Sequence, residues 1–103
     1  MIDLDPKHLE TIQEILREHV PACKVLAFGS RVTGKAHRFS DLDLALVCET
    51  PIDRRLIESL KEVFSESDLP FMVDILDYNS LSESFRAIMN ERLEIVQTPA
   101  LPT

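Results

Sequence analysis

Residues 27–47 read AFGSRVTGKAHRFSDLDLALV. A short apolar run, Lys24 to Phe28, stops at Gly29-Ser30. After ten further residues comes Asp41-Leu42-Asp43, which leads into a second apolar run. From Asp41 to Cys48 the residues alternate. Leu42, Leu44 and Leu46 lie on one side; Asp41, Asp43, Ala45 and Val47 lie on the other. A period of two predicts a strand. The segment between, Ser30 to Ser40, holds Gly34, Arg31, Lys35, His37 and Arg38. It predicts a loop with at most one short helical turn after Ser30.

Outward from this centre, the N-terminal side reads as one amphipathic helix. Asp5-Pro6 supplies an N-cap and a proline at the first helical position. Leu9, Ile12, Ile15, Leu16 and Val20 recur at helical spacing, and Pro21 ends the run. His8 and His19 on this helix read as exposed residues rather than ligands. On the C-terminal side, Thr50-Pro51 predicts a helix start, with Asp53 in a capping box. Leu56, Ile57, Leu60, Val63 and Phe64 form its stripe. FMVDIL, residues 71–76, predicts a third strand with Phe71, Val73 and Ile75 on one face and Met72, Asp74 and Leu76 on the other. Ser80 with Glu83 predicts a second capping box, opening a helix with Leu81, Phe85, Ile88 and Met89 inward. Leu93 to Val96 reads as a short last strand, and residues 98–103 as a frayed tail. The order α-β-loop-β-α-β-α-β implies an α/β (α+β) domain: a small mixed sheet with helices mainly on one face.

The 103 residues, 45% hydrophobic and 28% charged, match one globular domain with a core over about residues 5–97. No apolar run reaches the length of a membrane span. The acidic N-terminus is unlike a signal peptide. Cys23 and Cys48 lack metal-ligand spacing, so two free thiols in a reduced, cytoplasmic chain are the expectation. A net charge of −7 disfavours bulk nucleic-acid binding, which draws on a basic surface. It leaves room for a small phosphorylated ligand carried with a divalent cation, or for a basic protein partner.

Three aspartates carry the chemistry. Asp41 and Asp43 share one strand face, roughly 6.5 Å apart. Asp74 interrupts an otherwise apolar strand. If the apolar faces of both strands pack under the same helices, all three carboxylates share the uncovered face. Two carboxylates about 5 Å apart repel by roughly 3 kcal/mol at an effective dielectric of 20. A fold has no need of such a cluster for stability, and a divalent cation relieves it. Oxygen-only ligands suit magnesium or manganese, and two ions suit in-line phosphoryl or nucleotidyl transfer. The other reading is a turn aspartate at Asp41 with Asp43 and Asp74 on a solvated sheet face. Gly29 permits close backbone approach, and Ser30 offers a hydroxyl and an N–H to an anion. Arg31, Lys35 and Arg38 are either phosphate neutralisers or solvated loop charges.

Taken together, Gly29-Ser30, ten residues, Asp41-x-Asp43 and a lone Asp74 on a later strand resemble the nucleotidyltransferase superfamily typified by DNA polymerase beta. Within it, FGSR…G…SDLDLALV is similar to the minimal nucleotidyltransferases of prokaryotes. The resemblance implies the polymerase beta-like fold, with Gly29, Ser30 and Arg31 binding the nucleotide. It implies that Asp41 and Asp43 bind two magnesium ions, and that Asp74 completes one metal site and assists deprotonation of the acceptor. It implies AMP, or another nucleoside monophosphate, moving from ATP to a hydroxyl of a protein partner. Minimal members are similar to antitoxins paired with HEPN-domain toxins, some of which adenylylate a tyrosine of that partner. The alternatives are a non-catalytic antitoxin and a small-molecule enzyme of the aminoglycoside-modifying kind. Thr33 departs from the second arginine of many minimal members. Larger relatives grip the base and the acceptor with an added domain, so a partner subunit or a homo-oligomer is expected to supply that surface.

Overall fold

The computed structural model describes residues 2–34 and 40–100. The readings made for Lys35, His37 and Arg38 lie outside the described residues. Helix α1, Pro6–His19, starts where Asp5 accepts the N–H of Lys7. Strand β1, Lys24–Phe28, leads through Gly29 into a four-residue helix α2, Ser30–Thr33. Strand β2 is Leu42–Val47, helix α3 Arg54–Ser65 and strand β3 Val73–Asp77. A 3-10 turn, Tyr78–Ser80, precedes helix α4, Glu83–Glu91, and strand β4, Glu94–Gln97, follows it.

The strands form one sheet in the order β3-β2-β1-β4. β1 pairs antiparallel with β2 and β4, while β2 and β3 are parallel. The sheet is therefore mixed, as the alternation and element order imply. Ile12 and Leu16 of α1 and Leu60 and Phe64 of α3 pack on the face formed by Val25, Ala27, Leu42, Leu44, Leu46, Val73 and Ile75. Each such side chain, fully buried, contributes about 1.5–3 kcal/mol. That face fixes the register. A slip of one residue would turn the leucines of β2 outward and Asp43 inward. Among the described residues no helix is long and apolar enough to cross a membrane.

Both internal capping boxes are displaced from the positions the sequence suggests. Helix α3 begins at Arg54, with Asp53 itself as the cap accepting from Arg55 N–H. Ile52 packs against the core, which draws the preceding residues out of any helical path. Ser80 is absorbed in the 3-10 turn capped by Asp77, and Ser82 caps α4 by accepting from Phe85 N–H. Helix α4 also does not bury the stripe assigned to it. Only Met89 is buried, whereas Phe85 and Ile88 are 42% and 70% exposed. The second sheet face is not bare either. Leu26 and Ala45, on the same side as Phe28 and Asp43 by alternation, are buried outside the main core, and Phe85 meets Phe28 edge-on. In the tail, the N–H of Ala100 donates to the carbonyl of Pro21, so the chain is anchored that far.

The two cysteines are not free thiols: Cys23 and Cys48 form a disulfide. The register explains it. Lys24 pairs with Val47, so the next pair outward is Cys23 with Cys48, with Cα atoms 4.5 Å apart.

Candidate active site

The strand registers gather the site. Phe28 stands opposite Asp43, and Asp43 stands opposite Asp74. Paired residues point to the same sheet face, so Phe28, Asp43 and Asp74 form one row across three strands about 4.8 Å apart. Asp41 lies just before β2, with the same alternation as Asp43. Asp43 is half-buried, whereas Asp41 and Asp74 are exposed. Burial first, then the charges of Asp74 and Asp41, raise the Asp43 carboxyl above its ordinary value. Burial and the two neighbouring carboxylates thus all disfavour the charged form of Asp43. The cluster is ordered from the side: Asp74 Oδ1 accepts the N–H of Ile75 at 3.0 Å and lies 3.6 Å from Lys61 Nζ on α3.

Gly29 sits at φ 83° and ψ −158°, a backbone region open essentially to glycine alone. A Cβ there would collide with the carboxylate of Asp43. The turn thus brings bare backbone against the central aspartate. The Gly29 carbonyl accepts the N–H groups of Val32 and Thr33, closing the first turn of α2 and fixing Ser30 at its start. Gly34, at φ 84° and ψ 12°, ends that helix in the left-handed region.

Arg31, expected among the nucleotide-binding residues, is buried and bonded to backbone carbonyls. It is 5% exposed. Its Nε donates to the carbonyl of Ser40 at 3.0 Å and its Nη1 to the carbonyl of Asp3 at 2.8 Å. The guanidinium lies 4.2 Å from the centre of the Phe71 ring. The Asp3 N–H donates back to the Arg31 carbonyl. The side chain ties the N-terminal segment, the end of the 30–40 connection and the start of the β3 region together.

Two hollows flank the row. A groove of about 970 Å³ runs beside β3 and α3 and is bordered by Asp41, Asp74 and Lys61. A smaller one, about 320 Å³, lies on the Gly29 side, between the end of β1 and α4. Among the described residues no three His, Cys, Asp or Glu side chains form a ready-made metal cage. Facing carboxylates with an open groove beside them suit an ion that keeps waters and accepts substrate phosphate oxygens, as magnesium does.

Sequence reasoning missed Lys61, Phe28 and Phe85. Lys61 carries no sequence signal beyond a polar helix face. Phe28 was readable only through its pairing with Asp43, and Phe85 only through the side of the sheet that α4 covers.

Comparisons with known proteins agree with this fold. Residues 10–98 match the family model described as polymerase beta, nucleotidyltransferase. The chain is 47% identical over 96 residues to the probable protein adenylyltransferase MntA of Haemophilus influenzae, covering 93% of this chain and 84% of that one. A crystal structure of a toxin–antitoxin with AMP-PNP superposes at a TM-score of 0.74 with 26% identity, over 87% of this chain and 73% of the other. A chain from the Shewanella oneidensis complex of a tri-AMPylated HEPN toxin with its MNT antitoxin shares the fold. Its TM-score is 0.69 at 22% identity, over 89% of this chain and 71% of that one.

Proposed function

This chain belongs to the polymerase beta nucleotidyltransferase family, and from that membership we propose that it transfers AMP from ATP to a hydroxyl of a HEPN-domain protein, as the antitoxin of a toxin–antitoxin pair. The observation that carries the reading is the row Asp43–Asp74 with the glycine turn packed against Asp43. Its kinship with a probable protein adenylyltransferase supports AMP as the group transferred. The AMP-PNP-bound toxin–antitoxin structure supports a protein toxin as the partner.

In this reading Gly29 and Ser30 hold the triphosphate, and Asp41, Asp43 and Asp74 hold magnesium, with manganese as a substitute. The residues fit: the donors are all oxygen, and the raised Asp43 carboxyl marks a charge cluster in need of a cation. Magnesium, when bound, neutralises phosphate charge and assists departure of pyrophosphate. The protein's own groups do the rest. Asp74 accepts the proton of the acceptor hydroxyl, and Lys61 orients that carboxylate. The hydroxyl oxygen bonds to the α-phosphorus as the bond to the β-phosphate oxygen breaks. Pyrophosphate leaves on the Gly29–Ser30 side, so the acceptor enters on the Asp74 side, in line. The 970 Å³ groove bordering Asp74 provides that approach.

Such a reaction belongs in the cytoplasm, where ATP and a toxin partner meet. Incubation with α-labelled ATP, magnesium and a HEPN-domain partner tests the proposal. Label on the partner is expected from the wild type and lost in the Asp41→Asn/Asp43→Asn protein. Equal labelling by both proteins would overturn it. Neutralisation that survives the double substitution without labelling would favour a non-catalytic antitoxin.

A further inference from the structure

We infer that Lys61 is a counter-cation built into the aspartate cluster. Its ammonium takes up part of the negative charge that would otherwise hold a divalent cation. It thereby keeps the cluster from retaining such an ion until a triphosphate brings further negative charge. The inference rests on the reading of Asp41, Asp43 and Asp74 as metal ligands.

Helix α3 decides where the ammonium falls. Leu60 and Phe64 are 1% and 3% exposed and fix the helix against the sheet. Lys61 follows Leu60, and it lines the groove beside β3 together with Phe64. Its Nζ stands 3.6 Å from Asp74 Oδ1, the same oxygen that accepts the Ile75 N–H. That oxygen therefore meets two donors before any ion arrives. The two side chains are partly exposed, at 39% and 51%. An exposed pair of this kind adds little to stability, and buried residues already hold α3 in place. The consequence of the pair falls instead on the charge of the site.

Coulomb's law gives the sign. Three carboxylates attract a divalent cation, and an ammonium on one of them repels it. Asp74 stands opposite Asp43 across β2 and β3, so the repulsion reaches the centre of the cluster. A triphosphate beside the cluster adds several negative charges and outweighs one ammonium. Glu58 and Glu62 line the same groove. Glu58 lies three residues before Lys61, a spacing at which helical side chains meet. It offers the ammonium a second partner when Asp74 turns to a cation. Metal occupancy thus comes to depend on the nucleotide.

Manganese binding without nucleotide tests this, with the free ion read by electron paramagnetic resonance at low ionic strength. Lys61→Gln is expected to bind manganese about three- to tenfold more tightly than the wild type, as removal of a nearby like charge does. The gap should narrow in about 1 M salt, where the screening length is roughly 3 Å. Lys61→Arg keeps the charge and should match the wild type. Lys24→Gln makes the same change in net charge at the far end of β1, where Lys24 pairs with Val47, and should match it too. Melting curves check that each variant is folded. Adding Asp74→Asn to Lys61→Gln should abolish the gain. Unchanged or weaker binding by Lys61→Gln would overturn the inference. So would a gain that survives Asp74→Asn, because the ion would then sit on Glu58 and Glu62. An equal gain in Lys24→Gln would overturn it as well, since overall charge would then be the cause. If Lys61→Gln bound manganese no less after Asp41→Asn and Asp43→Asn were added, the underlying reading of these aspartates as metal ligands would fall instead.

Discussion

Asp43 and Asp74 stand directly opposite each other across the parallel pair β2–β3, and the half-buried member of the pair, Asp43, holds its proton more tightly than an ordinary carboxylate. A carboxyl whose folded-state pKa is raised binds more protons folded than unfolded in the window above its ordinary value of 3.8. Stability therefore falls as pH rises through that window, and the deficit is complete above the folded-state value. Without divalent cations at pH 7, Asp43→Asn is expected to melt at a higher temperature than the wild type. The gap should shrink as the pH is lowered toward 3.8. Magnesium should reverse the order. A cation at a hundred times its dissociation constant adds about 2.7 kcal/mol to a protein that binds it, and the variant lacks the site. Differential scanning calorimetry at both pH values, with and without magnesium, makes the check. A variant that melts lower than the wild type at pH 7 without cations would contradict the repulsion.

Gly29 and Gly34 both have positive φ, yet the structure assigns them unequal importance. At Gly29 the backbone lies in a glycine-only region and a Cβ strikes the Asp43 carboxylate. At Gly34 the conformation is left-handed helical and nothing lies within 4 Å of the added carbon. Gly29→Ala is expected to cost about 1–3 kcal/mol in backbone strain and to cut AMP transfer at least tenfold by displacing Asp43. Gly34→Asn, a residue that tolerates this conformation, should keep transfer within about twofold, since the added side chain meets open space. Urea unfolding and single-turnover labelling on both variants measure this. Comparable losses at the two positions would refute the distinction.

Much of this site was legible because strand alternation is strict. The period-two run of Leu42, Leu44 and Leu46 placed Asp43 on the opposite face, and the same parity in FMVDIL placed Asp74. Burial on one face made both assignments hold. Gly29 was legible as the end of an apolar run. What was not legible had other causes. Arg31 reads as a phosphate neutraliser or a solvated loop charge, and no local pattern shows that its guanidinium will meet the carbonyls of Asp3 and Ser40. Ser80 and Ser82 offer equivalent caps, and the hydrogen bond from Asn79 Nδ2 to the Cys48 carbonyl, which ties the 3-10 turn to the sheet, is a long-range contact. The cysteine pair depends on a hairpin register that alternation alone does not set. The apolar stripe of α4 was legible as a stripe. That part of it serves an open hollow rather than the core was not, because the helix crosses the second face of the sheet.

Arg31 also separates a structural role from a ligand contact. Two hydrogen bonds from a charged donor contribute about 1.5–3 kcal/mol each, and a lysine cannot reproduce the planar fork that reaches two carbonyls. Arg31→Lys is expected to lower stability by about 2–4 kcal/mol, read as a shift in the urea midpoint. Its KM for ATP, measured where the variant is fully folded, should stay within about threefold of the wild type. A tenfold rise in KM without loss of stability would restore Arg31 to the triphosphate.

The Cys23–Cys48 bond clamps the base of the hairpin that carries the site. The two residues lie 25 positions apart in sequence, and both Gly29 and Asp43 fall inside the loop they close. Closing a loop of that length removes chain entropy from the unfolded state worth about 3.5 kcal/mol, or roughly 15 °C in melting temperature for a domain of this size. Both cysteines are buried beside the core, so reduction leaves two small apolar side chains in place and the folded state intact. The reduced protein, and the Cys23→Ser/Cys48→Ser protein in either buffer, should melt below the oxidised wild type by about that amount. All three should label the partner at the same rate at 25 °C, because the β1–β2 hydrogen-bond ladder still holds Gly29 against Asp43. Thiol titration of the unfolded chain should find none before reductant and two after. Free thiols in protein prepared under air, or a melting temperature indifferent to reductant, would show that the pair is not bonded in solution.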